Sequence, residues 1–374
     1  MYGVFQAYYA TDIAQTSSAS DISWIGSVQV FLLCFVGTIV GPVYDAGKCR
    51  HLLVVGTILS LLGMFTTSVC QSYWQLFLAQ GVATGSGFGC LFLPGVTIVS
   101  QYFSTRKAFA TGIASLGSGI GGVIYPIMWT RLQPQVGFGW ATRIVAFVML
   151  VTLIVPVVVL KPLIQPNSRR TLLDFKSFLD PPFVLFGGGI LFGYMGIYVV
   201  FFYIQLYAQS RANVDSNLAF YLLAITNAGS IFGRILPNFV ADIIGTLNVM
   251  SIVAFAAAIM SLSLLAIRNV PGIIVFCVLF GCFTGTFMSL PAPTTASLSA
   301  KHMSSLGARM SMAFMTAAIG SLVGSPIAGA ILAQNGGENW NGLLIWAGVL
   351  MVITTACMLA ARTAKLGFKL SAKA

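Results

Sequence analysis

The hydrophobic pattern of this chain is a series of long apolar runs separated by short polar connections. Eleven full-length runs lie near residues 22–43, 52–70, 75–100, 108–129, 140–160, 182–206, 216–237, 246–267, 271–292, 306–332 and 341–361. A helix needs about 20 apolar residues to cross a bilayer, whereas a membrane β-strand needs about ten and alternates apolar with polar positions. The pattern therefore predicts eleven complete transmembrane helices.

The first nine residues resemble the end of one further span. Nine helical residues rise about 13 Å, which is less than half of a hydrocarbon core of about 30 Å. We therefore expect an all-α membrane protein with 12 spans, of which span 1 is truncated in this sequence and 11 are complete.

The longest polar stretch divides the chain into two parts. It runs from Lys161 to Pro182 and is rich in proline and charge. We expect a half bundle at 1–160, a cytoplasmic linker at 161–181, and a second half bundle at 182–374 that ends in a short basic tail. One pattern recurs 203 positions later, as Arg106, Gly117, Ser118 and Gly121 against Arg309, Gly320, Ser321 and Gly324. Two similar six-span halves are typical of transporters built from internal repeats.

Composition and charge agree with a membrane location. The 374 residues are 57% hydrophobic and 7% charged, whereas soluble domains are about 25% charged. Fifteen of the 19 Lys and Arg residues, Arg309 and Arg362 among them, are assigned to loops or span ends on one side of the membrane. By the positive-inside rule that side, with the linker and the C-terminus, is cytoplasmic. The net charge of +11 therefore reflects topology and anionic lipid rather than a nucleic-acid partner.

The sequence lacks the motifs of an enzyme or a metal protein. Its seven cysteines form no CxxC pair, both histidines lie far from any cysteine cluster, and no GxxxxGK[ST] phosphate loop or nucleophile–base set occurs. We expect no enzyme activity, no metal site, no cofactor and no disulfide framework. The expected partners are the lipid bilayer and a small organic substrate, and no obligate protein partner is evident.

The connection GPVYDAGKCR, residues 41–50, resembles the cytoplasmic loop signature of the major facilitator superfamily. Gly41 is expected to let two helices touch, Asp45 to cap a helix or pair with a cation, and Lys48 to lie at the lipid surface. We assign a gating and structural role to this signature and its counterparts: Gly41, Asp45, Gly47, Lys48, Arg106 and Asp242. A plain solvated turn is the alternative.

One arginine, Arg234, lies inside the apolar run NAGSIFGRILPNFVAD at 227–242. A charge in a membrane helix costs about 2.5–3.5 kcal/mol on insertion scales, and a water-filled path or an anionic ligand is the usual compensation. We interpret Arg234 as lining a central cavity for an anionic or acceptor-rich substrate. The alternative is a structural arginine that snorkels or pairs with backbone carbonyls.

Polar and aromatic residues near the centres of spans 1, 7 and 8 are further candidates for substrate contact. They are Gln6, Tyr8, Tyr9, Tyr198, Tyr203, Gln205 and Asn227. The alternative is that these side chains form hydrogen bonds between helices. Every acidic residue lies in a loop or at the end of a span, so no intramembrane carboxylate for proton coupling is visible.

Four segments together resemble the fungal form of the monocarboxylate porter branch of the major facilitator superfamily: GVFQAYY, GPVYDAG, QYFSTRKAFATGIASLGSGIGG and NAGSIFGRILPNFVAD. The resemblance implies a major facilitator fold, and members carry monocarboxylates, riboflavin or exported secondary metabolites. In the animal members, anion binding rests on an arginine in the eighth span, a proton-handling aspartate one turn earlier, and a lysine in the first span. The arginine matches Arg234, but Ser230 stands at the aspartate position, and the lysine position falls near Gly3.

These observations predict secondary active or facilitative transport of a small organic solute by alternating access. The arginine favours a monocarboxylate or another acceptor-rich molecule. Export of a fungal secondary metabolite is the first alternative, and a non-transporting product of a truncated gene is the second. We expect the plasma membrane as the location, with the vacuolar membrane as the alternative.

Overall fold

The computed structural model describes residues 2–13, 19–103, 106–163, 175–299, 306–334 and 338–367, and every regular element in these ranges is a helix. The α-helices are α1 (Tyr2–Tyr8), α2 (Ala19–Ile39), α3 (Gly41–Asp45), α4 (Cys49–Thr67), α5 (Tyr73–Leu76), α6 (Gly85–Tyr102), α7 (Lys107–Val159), α8 (Pro181–Ala212), α9 (Ser216–Ile244), α10 (Thr246–Ser263), α11 (Val270–Ser289), α12 (Pro291–Leu298), α13 (Leu306–Ala333) and α14 (Trp340–Leu366). π-Helical turns follow α1 (Tyr9–Ile13) and join α5 to α6 (Phe77–Thr84), and a 3₁₀ turn lies at Phe175–Leu179.

Ten helices in the described ranges are long and apolar enough to cross a membrane. One of them, α7, has 53 residues, and an unbroken helix of that length would extend about 80 Å. It is broken at Gly137, where φ is +76° and ψ is 169°, a conformation that glycine adopts without strain. Helix α7 therefore contains both predicted spans 108–129 and 140–160, and each of the eleven predicted full-length spans is found as a helix.

The helices pack as two bundles. In the first bundle α6 contacts α2, α4 and α7. In the second, α8 contacts α9, α13 and α14, and α10 contacts α9, α11 and α14. The most extensive contacts between the bundles are those of α2 with α13 and of α7 with α9. Helix α7 ends at Val159 and α8 begins at Pro181. Of the predicted linker at 161–181, residues 164–174 lie outside the described ranges.

Arg309, expected in a cytoplasmic loop, lies within α13 and is only 2% exposed. Its guanidinium donates to Asp180 Oδ2 at 2.5 Å, to Ser177 Oγ at 2.9 Å and to the Leu298 carbonyl oxygen at 3.3 Å. The same group lies 4.8 Å from the centroid of the Phe183 ring. The loop prediction was wrong because partners at the start of α8 compensate the charge and allow it to be buried.

Arg362, expected in the C-terminal tail, lies within α14 and is 8% exposed. Its Nε donates to Asn248 Oδ1 at 2.5 Å, so this arginine too is held by packed helices rather than by solvent. The helix extends beyond the apolar run that predicted it and thereby includes the arginine. The remaining part of the predicted basic tail, 368–374, lies outside the described residues.

Candidate functional site

Among the cavities between the two bundles in the described structure, two share lining residues. The smaller has a volume of about 280 Å³ and is lined by residues such as Tyr2 and Asn227, whereas the larger has about 500 Å³ and is lined by residues such as Leu91 and Phe314. Both therefore contain residues of the N-terminal and of the C-terminal half. Five residues line both cavities and mark where they meet: Leu33, Ser118, Tyr198, Arg234 and Met288.

The Arg234 side chain is 7% exposed and lies at this meeting point. Its Nη1 donates to the carbonyl oxygen of Ser115 in α7 at 3.1 Å. Its Nε is buried and has no hydrogen-bond partner among the described residues. Because a guanidinium carries five N–H donors, a backbone carbonyl on one nitrogen leaves most of them unused. A carboxylate or a cluster of acceptor oxygens in the cavity would complete the set.

Two polar residues lie on the same helix as Arg234 and line the smaller cavity. Asn227 donates from Nδ2 to the Leu223 carbonyl oxygen at 2.8 Å, and Ser230 donates from Oγ to the Asn227 carbonyl oxygen at 2.7 Å. Both side chains therefore donate within α9, and the Asn227 side-chain oxygen lies against Gly122 of α7. Ser230 lies one turn before Arg234, and it cannot supply the charge that an aspartate would.

Aromatic rings from α8 form one wall of the cavities. Tyr198 lines both, Tyr194 lines the larger, and Phe201 and Phe202 line the smaller. The ring centroids of Tyr194 and Tyr198 are 6.1 Å apart. Tyr194 was not predicted from the sequence, although it lies four residues before Tyr198 and therefore on the same helix face. The helical repeat was the pattern that would have identified it.

The other predicted contact residues line neither cavity: Gln6, Tyr8, Tyr9, Tyr203 and Gln205. The Tyr9 hydroxyl instead donates to Gln80 Oε1 at 2.6 Å within the N-terminal half. The Tyr8 ring stacks on Phe138 with centroids 5.2 Å apart. The structure thus brings Arg234, Tyr198 and Asn227 together and directs these other side chains into helix packing.

Helices α7 and α9 run antiparallel along the boundary between the halves, and we call this contact line the α7–α9 seam. Its contacts follow each other in register: Ala108 and Phe109 with Asp242, Gly112 with Asn238, Ser115 with Arg234, Gly119 with Ser230, Gly122 with Asn227, and Arg131 with Tyr221. A Cβ added at Gly112 would overlap the Arg234 carbonyl oxygen. The small residue is therefore what allows the two helices to approach so closely.

Asp242 closes one end of the seam. Its carboxylate accepts hydrogen bonds from the backbone N–H of Ala108 at 3.1 Å and of Phe109 at 2.9 Å, in the first turn of α7. A carboxylate at a helix N-terminus satisfies free N–H groups and interacts favourably with the helix dipole. Since α7 and α9 belong to different halves, this cap links the halves at one end of the cavity.

The remaining residues of the predicted loop signature lie around short turns. Gly47 has a φ of +76°, which explains glycine at this position, and Lys48 and Arg106 are exposed just before α4 and α7. Asp45 ends α3, and its side chain lies outside the described part of the structure. The close helix contact expected at Gly41 was wrong, because an added Cβ would meet no atom nearer than 3.9 Å.

Comparison with known families agrees with this architecture. Residues 1–308 match the family model described as Major Facilitator Superfamily. The chain belongs to the major facilitator superfamily. The MFS-type transporter dbaD of Emericella nidulans is 40% identical to it over 352 residues, which cover 94% of this chain and 79% of that protein. The agnestins efflux protein AgnL12 of Paecilomyces divaricatus is 35% identical over 362 residues, covering 96% of this chain and 82% of that protein.

Among solved structures, the nucleoside transporter NupG superposes on this major facilitator protein with a TM-score of 0.70. The likeness covers 96% of this chain and 94% of that chain at 15% sequence identity, and it shows a common fold alone. The predicted major facilitator fold is therefore confirmed, and the chain is a membrane transporter rather than an enzyme. In transporters built from repeats, the substrate site lies at the interface of the repeats. The two cavities around Arg234 occupy that interface.

Proposed function

We propose that this transporter exports an organic metabolite that carries a carboxylate or another cluster of acceptor oxygens. The observation that carries the proposal is the buried Arg234 guanidinium, which lines both cavities and has an unpartnered Nε among the described residues. A desolvated cation of this kind binds an oxyanion strongly, because the bonds are charge-assisted and the surroundings are poor in water. Arg234 would then be the group that holds the substrate.

Cavity size supports a substrate larger than a simple monocarboxylate. The volumes of about 280 and 500 Å³ compare with roughly 300–1,000 Å³ for pockets that hold drug-sized ligands. The rings of Tyr198, Phe201 and Phe202 add flat apolar surface beside the arginine. A conjugated or aromatic skeleton with one acidic group fits this combination better than a three-carbon acid does.

Relatives support export over uptake. AgnL12, at 35% identity, is named as an efflux protein, whereas the parts expected of a proton–monocarboxylate carrier are incomplete here, with Ser230 at the aspartate position. We therefore prefer export of a secondary metabolite to uptake of a small carboxylate through the monocarboxylate porter branch. Export from the cell requires the plasma membrane, and the distribution of basic residues favours the linker and the C-terminus on its cytoplasmic side.

A metabolite comparison tests this function. Cells with and without the gene are extracted, and compounds inside the cells and in the medium are measured by mass spectrometry. The proposal predicts that an acidic compound of drug-like size accumulates inside the deletion strain and falls in the medium. Equal partition of every compound in both strains would contradict export, and loss of carboxylate uptake from the medium would instead favour the uptake alternative.

A further inference from the structure

Arg234 links the two halves of the transporter as well as facing the cavities. It belongs to α9 in the C-terminal half, whereas the Ser115 carbonyl oxygen that accepts from its Nη1 at 3.1 Å belongs to α7 in the N-terminal half. This bond lies in the middle of the α7–α9 seam, between the Asp242 cap and the Arg131–Tyr221 contact. The group that faces the substrate cavity therefore also holds the seam closed.

The Ser115 carbonyl oxygen keeps a second donor. The hydroxyl of Ser118, on the same helix, donates to it at 3.0 Å. A carbonyl oxygen has two lone pairs and loses little when one of two donors leaves, provided that the other stays. Ser118 also lines both cavities, so release of Arg234 would leave this carbonyl hydrogen-bonded rather than exposed without a partner.

The Arg234 guanidinium gains when it exchanges this partner for a substrate. A backbone carbonyl is neutral and accepts from one nitrogen here, whereas a carboxylate carries the opposite charge and can accept two parallel N–H bonds from an arginine. Among the described residues, the guanidinium has no carboxylate within ion-pair distance. An acidic substrate would thus supply both the missing charge and the missing acceptors.

We propose that the Ser115 carbonyl oxygen occupies the acceptor position of the substrate in the empty transporter. Binding of a carboxylate exchanges the Arg234–Ser115 bond for an Arg234–substrate bond and loosens the α7–α9 seam. This inference rests on the proposed function, since it requires the substrate to bind Arg234. A ligand shifts a conformational equilibrium only through a difference in affinity between states, and the exchange of partners at Arg234 provides that difference.

Cross-linking across the seam tests the exchange. The rings of Phe109 in α7 and Phe239 in α9 have centroids 5.9 Å apart, so cysteines at these positions report closure of the seam. The double variant F109C/F239C is made in the full chain, with the seven native cysteines replaced, and is placed in lipid nanodiscs. The rate of disulfide formation is then measured without ligand, with millimolar benzoate, and with the neutral analogue benzamide.

The exchange predicts three results. Benzoate slows cross-linking by about fivefold or more, in the range typical of coupling between sites, and benzamide has no effect. Arg234→Ala slows the ligand-free rate to a similar extent and removes the benzoate response. Arg234→Lys keeps a charged donor, so it retains part of the ligand-free cross-linking rate and part of the benzoate response.

Arg211→Ala is the matched control. Arg211 Nη2 donates to the carbonyl oxygen of Glu338 at 3.0 Å, which is the same kind of bond within the C-terminal half and away from the seam. This variant should cross-link like the parent and respond to benzoate like the parent. Elution of each variant as a single species in size-exclusion chromatography shows that it is folded.

Two outcomes would overturn the inference. One is a ligand-free rate in Arg234→Ala equal to that of the parent, and the other is a benzoate effect that is absent from the parent or equally large in Arg234→Ala. Export measured on the same variants distinguishes the two proposals. If Arg234→Ala loses export but cross-links at the rate of the parent, the exchange of partners is contradicted and the proposed function stands. If Arg234→Ala exports normally but cross-links more slowly, the role of Arg234 in export is contradicted.

Discussion

Arg234 and Arg309, two of the three arginines buried in the described structure, show opposite ways of placing a charge in a membrane protein. Both are almost fully buried, with 7% and 2% of the side chain exposed. Arg309 has a carboxylate, a hydroxyl, a backbone carbonyl and an aromatic ring as partners. Arg234 has one backbone carbonyl and a buried Nε without a partner in the described structure.

The difference separates a structural arginine from one that is free to bind. A buried cation whose donors are bonded to protein groups has no donor free for a ligand, and removing the cation leaves those protein groups unpaired. A buried charge with incomplete partners beside a cavity destabilises the empty state and gains most from a ligand. Burial alone therefore does not indicate function, whereas unused donors next to a cavity do.

The largest expected effect on stability is at Arg309. Arg309→Ala leaves Asp180 without its ion-pair partner and should cost about 3–5 kcal/mol, the range for breaking a buried pair, with some reduction because Asp180 is 25% exposed. The melting temperature of the purified protein measures the loss. Arg234→Ala is the comparison and should melt close to the parent. Equal losses in the two variants would contradict the distinction between them.

Much of this architecture follows from the sequence, because backbone in lipid must satisfy its own hydrogen bonds and each apolar run of span length therefore becomes a helix. The break at Gly137 follows from the polar gap between the runs at 108–129 and 140–160. The hydrogen-bond partners of each buried arginine cannot be predicted from the sequence in this way. Asp180 lies 129 positions from Arg309, and the sequence carries no indication that the two side chains meet.

Helix rotation explains why only some of the predicted contact residues line the cavities. Tyr8 and Tyr198 look alike in the sequence, as aromatic residues within apolar runs. Only packing decides that Tyr198 lines both cavities while Tyr8 stacks on Phe138. A run that is apolar on every face does not indicate which face is turned toward the cavity.

Asp242 should show an intermediate effect. It is a second residue with satisfied bonds, and Asp242→Ala removes two hydrogen bonds to the first turn of α7, with an expected cost of about 0.5–2 kcal/mol for a lost cap. The cross-linking rate of F109C/F239C should fall in the empty protein while benzoate still slows it further. A variant that loses the benzoate response would show that Asp242, and not Arg234, senses the ligand.

Tyr194 should show the smallest effect. Its hydroxyl makes no hydrogen bond among the described residues, and its ring lines the larger cavity beside Arg234. Tyr194→Phe should leave the melting temperature unchanged and raise the KM for export by about two- to tenfold, the equivalent of one hydrogen bond to the substrate. An unchanged KM would restrict the polar part of the site to Arg234 and its neighbours on α9.

Transport by Arg234 variants tests whether the buried arginine holds the substrate. Uptake of the exported metabolite into inside-out vesicles is measured for the parent, Arg234→Lys and Arg234→Ala at equal amounts of membrane-inserted protein. Loss of a charged hydrogen-bonding partner worth about 1.5–3 kcal/mol predicts a fall in transport of roughly 10- to 150-fold in Arg234→Ala, with Arg234→Lys in between. Transport by Arg234→Ala at the rate of the parent would contradict the account.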